Sequence, residues 1–121
     1  MKLYTDLTVW IEGRKLVNEV YAVTKTFPKD ELFGLTAQIR RCAVSIPSNI
    51  AEGCGRKSDN ETRQFLYISR GSLYELETQL FIALDQKYLE QEKFTQLHMQ
   101  LIYCRKLLNG FIKYYANNQD E

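Results

Sequence analysis

A chain of 121 residues, 45% hydrophobic and 26% charged, holds enough apolar side chains for one core, is too short for two, and is too apolar to stay disordered. Sixteen Lys and Arg stand against fifteen Asp and Glu, so a formal net charge of +1 supplies no global field toward nucleic acid or acidic lipid, and polyanion binding would need a local patch. The opening MKLYTDLTVW lacks the apolar run of a signal peptide, and no stretch approaches the roughly 18 apolar residues of a membrane span, so a cytoplasmic protein with no membrane partner is expected.

The breaks are few: Pro28 and Pro47, with glycines at Gly34, Gly53 and Gly55. Between them apolar residues recur at three and four, the helical period, without sustained alternation. Helix 1 is expected over about residues 4–26, with Leu7, Trp10, Val17 and Tyr21 on one stripe and Val9, Leu16, Val20 and Val23 beside it, ending at Phe27-Pro28. Helix 2, about 35–53, aligns Leu35, Ile39, Cys42, Ala43, Ile46 and Ile50. Pro47 should bend this helix without ending it, by removing one N–H and crowding the Ala43 carbonyl.

Ser58-Asp59-Asn60-Glu61 has the spacing of a capping box, so helix 3 starts there and runs over about 59–87. Its stripe is Leu66, Ser69, Leu73, Leu76, Leu80 and Leu84, and beside it Tyr67, Tyr74, Phe81 and Tyr88 recur at strict sevens. Helix 4, about 92–115, carries Phe94, Leu97, Leu101, Cys104, Leu108, Phe111 and Tyr115 as a heptad-like seam. Four long amphipathic helices on short connections predict an all-α fold: one domain over 1–121, an antiparallel up-down-up-down four-helix bundle with helix 2 bent at Pro47. The aromatic line on helix 3 lies outside the leucine stripe. It either edges the core with wet hydroxyls or forms an oligomer interface through Tyr67, Tyr74, Phe81 and Tyr88.

No catalytic pattern accompanies this helical periodicity, and a non-enzyme without cofactor or metal is expected. His98, the single histidine, has no acid and nucleophile pattern near it in sequence. Walker, G-x-G-x-x-G and H-E-x-x-H motifs are missing. Cys42, Cys54 and Cys104 have no paired spacing for a metal and read as reduced, small packing residues. Gly53-Cys54-Gly55 before Arg56-Lys57-Ser58 is the nearest approach to an anion site, although a plain interhelix turn is the preferred reading. On helix 2, Gln38, Arg41, Ser45, Asn49 and Glu52 flank the apolar stripe on one side and Arg40 projects on the other. Such a flank can bond a neighbouring helix or face a partner. Arg40 and Arg41 point 100° apart, so at least one should leave the core.

Three segments carry a resemblance to a known family: VWIEGRKLVNEVY from Val9 to Tyr21, FPKDELFGLTAQIRRCAVSIPSNIAEGCGR from Phe27 to Arg56, and FLYISRGSLYELETQL from Phe65 to Leu80. In order and spacing they resemble the four-helix bundle proteins encoded by intervening sequences in 23S ribosomal RNA genes, sometimes labelled ribosomal proteins and related to the accessory variability proteins of diversity-generating retroelements. Cys42 departs from the usual alanine. The resemblance implies a bacterial homopentameric ring and no established catalysis. Its relatives bind reverse transcriptase and nucleic acid through a basic surface, which falls here on Arg40 and Arg41, with Arg14, Lys15, Arg56 and Lys57 as further candidates. The expected function is therefore that of an RNA- or ribonucleoprotein-associated homo-oligomer. An oligomeric protein scaffold that binds no nucleic acid is the alternative.

Overall fold

The computed structural model describes residues 3–120, with side chains up to residue 116. After a 3-10 turn at Tyr4–Asp6 come α1 (Thr8–Thr24), a second 3-10 turn at Lys29–Glu31, α2 (Leu35–Cys54), α3 (Asp59–Asp85) and α4 (Gln91–Asp120). Each helix packs on its neighbours in the chain and α1 closes on α4, while among the described residues the diagonal pairs stay apart. Short connections between long helices impose this antiparallel up-down order. Leucines and isoleucines that the periodicity places inward, among them Leu16, Ile39, Ile46, Leu66, Leu73, Leu76, Leu80, Leu97, Leu101 and Leu108, are fully buried. Truncating any one of these to alanine would cost about 2–5 kcal/mol.

Helix 1 differs from the expected continuous run. The chain is extended at Leu7 before α1 begins, so the 3-10 turn folds back and Tyr4 lies edge-on to Trp10 at 5.3 Å between ring centroids. In one unbroken helix those residues would point about 120° apart. Leu7 packs against the core from this extended position. Within α1 the fully inward line is Val9, Gly13, Leu16, Val20 and Thr24, whereas Tyr21 faces outward. At α3, Ser58 Oγ accepts the Glu61 N–H at 3.1 Å, forming one half of the capping box. Glu61 is exposed and makes no return bond among the described residues.

The α2/α3 seam is built from small residues and polar ties. Thr62 Oγ1 donates to the Gly53 carbonyl at 2.8 Å, and Ser69 Oγ to the Ile46 carbonyl at 2.9 Å. The Ser45 and Ser72 hydroxyls meet at 2.7 Å, and the Cys42 thiol donates to the Ser72 carbonyl at 3.1 Å. A Cβ on Gly53 would sit 3.0 Å from Phe65 Cβ and 3.1 Å from the Thr62 carbonyl oxygen, so only glycine allows so close an approach. Pro47 lies inside α2, which runs on unbroken to Cys54. Its ring is buried next to Gly13 of α1.

Candidate nucleic-acid interface

Helix α2 has α1 on one side and α3 on the other, so its outward arc separates two seams. On the α1 side, Arg40 is half-buried: its Nε donates to Thr24 Oγ1 at 2.9 Å and its guanidinium lies 4.8 Å from the centroid of the Tyr21 ring. Thr24 donates its own hydroxyl proton to the Val20 carbonyl at 2.8 Å, which leaves the oxygen free to accept from Arg40. Arg14 stacks 5.0 Å from Trp10 and lines a groove of about 330 Å³ with Val44, Pro47 and Ser48. Lys15 is exposed one residue further on.

On the α3 side, Arg41 is exposed and lines a polar groove of about 500 Å³ with Gln38, Ser45, Ser72 and Glu75. Ser45 does bond to α3, but neither Arg41 nor Glu52 pairs across the seam: Glu52 binds Arg56 along the chain at 3.2 Å. Arg56 also stacks 4.4 Å from Phe65, and Lys57 is exposed beside it in the α2–α3 turn. The six candidate cations therefore fall in three places. From Arg40 to the end of α2 at Cys54 the helix rises about 21 Å at 1.5 Å per residue, with Arg56 in the turn beyond. Among the described residues, Arg14, Lys15, Arg40, Arg41 and Lys57 form no ion pair.

A second constellation, unseen in the sequence, lies on the α3/α4 seam. Glu77 Oε2 meets His98 Nε2 at 2.7 Å, and Glu77 Oε1 accepts from Arg105 at 3.0 Å. The hydrogen bond from Arg105, helped by His98, holds the Glu77 carboxyl below the usual carboxylate range against the opposing effect of burial. Arg105 stacks 4.6 Å from Tyr74, and Phe81 packs 4.9 Å from Phe94 and 5.6 Å from His98. Arg70 lies 5.1 Å from Tyr67 and donates to Asn109 Oδ1 at 3.2 Å. Tyr67, Tyr74 and Phe81 are thus exposed along α3. Tyr88 lies past the end of α3, half-buried, 5.8 Å from Phe27 and bonded to Glu31.

The pairs Trp10/Arg14 and Tyr67/Arg70 were also missed, although their spacing of four and three residues on one helix face is a signal that could have found them. The pairs Tyr21/Arg40, Phe65/Arg56 and Tyr74/Arg105 come from facing elements and had no such signal. His98 contacts an acid, but no hydroxyl or thiol among the described residues bonds to its ring. No cluster of three or more His, Cys, Asp or Glu positioned for a metal occurs among them either.

The profile of the 23S rRNA-intervening sequence protein family matches residues 5–110, nearly the whole of the bundle. The chain belongs to this family. A crystal structure of a protein of unknown function from the S23 ribosomal protein family of Bacteroides thetaiotaomicron VPI-5482 has the same fold: TM-score 0.80, 23% identity, covering 87% of this chain and 95% of that one. No curated protein matches the sequence. Membership in the 23S rRNA-intervening sequence protein family agrees with the four helices and with the segments from Val9 to Leu80. No helix among the described residues is long and apolar enough to cross a membrane.

Proposed function

We propose that this 23S rRNA-intervening sequence family member is a non-enzymatic, RNA-associated homo-oligomer that holds structured RNA through the arginine-bearing outer face of α2 and the α1 and turn residues beside it. The observation that carries this reading is the state of the guanidinium groups. Arg14 and Arg40 lie over aromatic rings and Arg41 stands in an open groove, all without a carboxylate partner among the described residues. A guanidinium stacked by its face keeps N–H groups at its edge for a phosphate, and the ring limits the entropy lost on binding. A single copy offers few such groups. Repetition around a symmetric oligomer would multiply the counterions released.

The exposed line Tyr67, Tyr74 and Phe81 supports self-association and also favours a second reading, a protein scaffold in which the arginines serve contacts between subunits. The test is titration of a labelled RNA hairpin at several salt concentrations, with Arg14→Ala plus Arg41→Ala as the variant. Arg40 is left in place because it ties α2 to Thr24 and Tyr21. Expected is affinity that falls steeply with salt, with the log–log slope shallower in the variant by roughly one unit per lost phosphate contact while its mass in solution is unchanged. Absence of binding at low salt, or binding indifferent to salt, overturns the RNA reading. Dissociation of the variant without any RNA binding in the wild type supports the scaffold.

A further inference from the structure

We infer that Leu32 and Phe33, at the tip of the α1–α2 connection, dock into the α1/α4 groove of a second copy of this chain. The inference rests on the homo-oligomeric reading above and names contacts that would build it. Phe33 is 93% exposed and Leu32 is 48% exposed. A single apolar side chain on a mobile loop would be unremarkable. This tip, however, is fixed from below. Glu31 Oε1 accepts the Leu35 N–H at 3.1 Å, and Glu31 Oε2 accepts the Tyr88 hydroxyl at 3.0 Å, while Tyr88 packs on buried Phe27. A Cβ on Gly34 would lie 2.8 Å from Glu31 Oε1, so a side chain there would push the carboxylate out of its present position. One carboxylate thus ties the base of the tip to α2 and to the α3–α4 turn while two large apolar side chains stay in water. That preorganisation lowers the cost of docking.

Besides the smaller groove at Arg14, two larger apolar recesses among the described residues could receive the tip. The larger, about 890 Å³ and lined by Leu7, Cys54, Phe111 and Tyr115, lies at the opposite end of the bundle. Docking there would stack copies end to end. The second, about 610 Å³, lies between the last turns of α1 and the first turns of α4, at the same end as the tip, and includes Ala22, Val23, Met99 and Tyr103. For copies arranged as a closed ring of parallel bundles, knob and hole must stand at the same height along the axis, a condition that the α1/α4 groove meets and the far recess does not. Charge agrees with that selection. Glu19 and Lys93 line the groove, and Lys29 and Asp30 are exposed beside the tip, so each sign has an opposite partner. Glu19 forms no ion pair among the described residues, and burial raises its pKa despite Lys15 nearby. A cation brought by another copy would relieve that.

The test is complementation, followed by sedimentation velocity over a range of concentrations. Phe33→Asp removes the knob at an exposed position, and Ala22→Asp plus Met99→Asp blocks the groove at exposed positions, with circular dichroism confirming that each stays folded. Each variant alone should fall to the mass of a single chain. Mixed in equal amounts they should form a species of twice that mass, because one intact knob and one intact groove remain between them. If Phe33→Asp assembles like the wild type, the knob is wrong and the homo-oligomer reading stands. If only the groove variant assembles normally, the groove is wrong. A mixture that stays monomeric overturns the pairing, and a wild type that is monomeric at every concentration overturns the homo-oligomer reading together with it.

Discussion

Burial in the α2/α3 and α1/α4 seams, with Glu75 beside the first thiol and Glu12 and Glu19 beside the second, pushes Cys42 and Cys104 up to about 12. At pH 8 roughly one thiol in ten thousand would then be a thiolate, the form that reacts. Cys54 is half-buried and raised by burial alone. A thiol reagent in native buffer should therefore modify Cys54 first and leave the other two until denaturant is added, as mass spectrometry of a time course would show; equal rates at all three would refute it. The same residue-level packing divides the glycines and threonines. Gly53→Ala places a Cβ against Phe65 and the Thr62 carbonyl and should cost about 1–3 kcal/mol in urea unfolding. Gly71→Ala and Gly110→Ala meet nothing within 4 Å among the described residues and should each gain about 0.5–1 kcal/mol. Thr36 is buried and its hydroxyl has no hydrogen-bond partner among the described residues, so Thr36→Val should be neutral or add up to about 1 kcal/mol.

At the level of elements, helix periodicity made α2, α3 and α4 legible because their inward residues repeat without interruption for 20 residues or more. The start of α1 was not legible. Leu7 fits the apolar stripe equally well whether or not the backbone is helical there, and the turn is favoured by packing between Tyr4 and Trp10, a tertiary effect. The α3/α4 cluster was hidden for a similar reason: Glu77, His98 and Arg105 become neighbours only once the antiparallel register is known. This cluster gives the seam a pH dependence. Because the folded pKa of Glu77 is lowered, its contribution is fully present above the unfolded carboxylate value of about 4.3 and is lost as pH falls through the folded value. Urea unfolding of wild type and Glu77→Gln should differ at pH 6 and converge toward pH 3. A gap that widened in acid would show that the sign is wrong.

For the whole molecule, six candidate cations were named as residues but their grouping was not legible, since Arg40 and Arg41 fall on opposite seams of α2 and Arg56 lies past the far end of that helix. A face so divided offers an RNA few phosphate contacts in any one place, and the apolar side chains left in water along α3 and at the Leu32–Phe33 tip are where the proposed association would act. Association and stability are then linked by mass action: whatever binds the folded chain and not the unfolded one raises its melting temperature with concentration. The midpoint of thermal unfolding should rise steadily as protein concentration is increased a hundredfold, and Phe33→Asp should flatten that dependence without lowering the midpoint measured at the dilute end. The reason is the 93% exposure of Phe33: its side chain contributes little to the isolated bundle, so its effect must come through another copy. A midpoint independent of concentration in the wild type would remove the oligomer. A dilute-end loss in the variant would instead place Phe33 in the stability of the single chain.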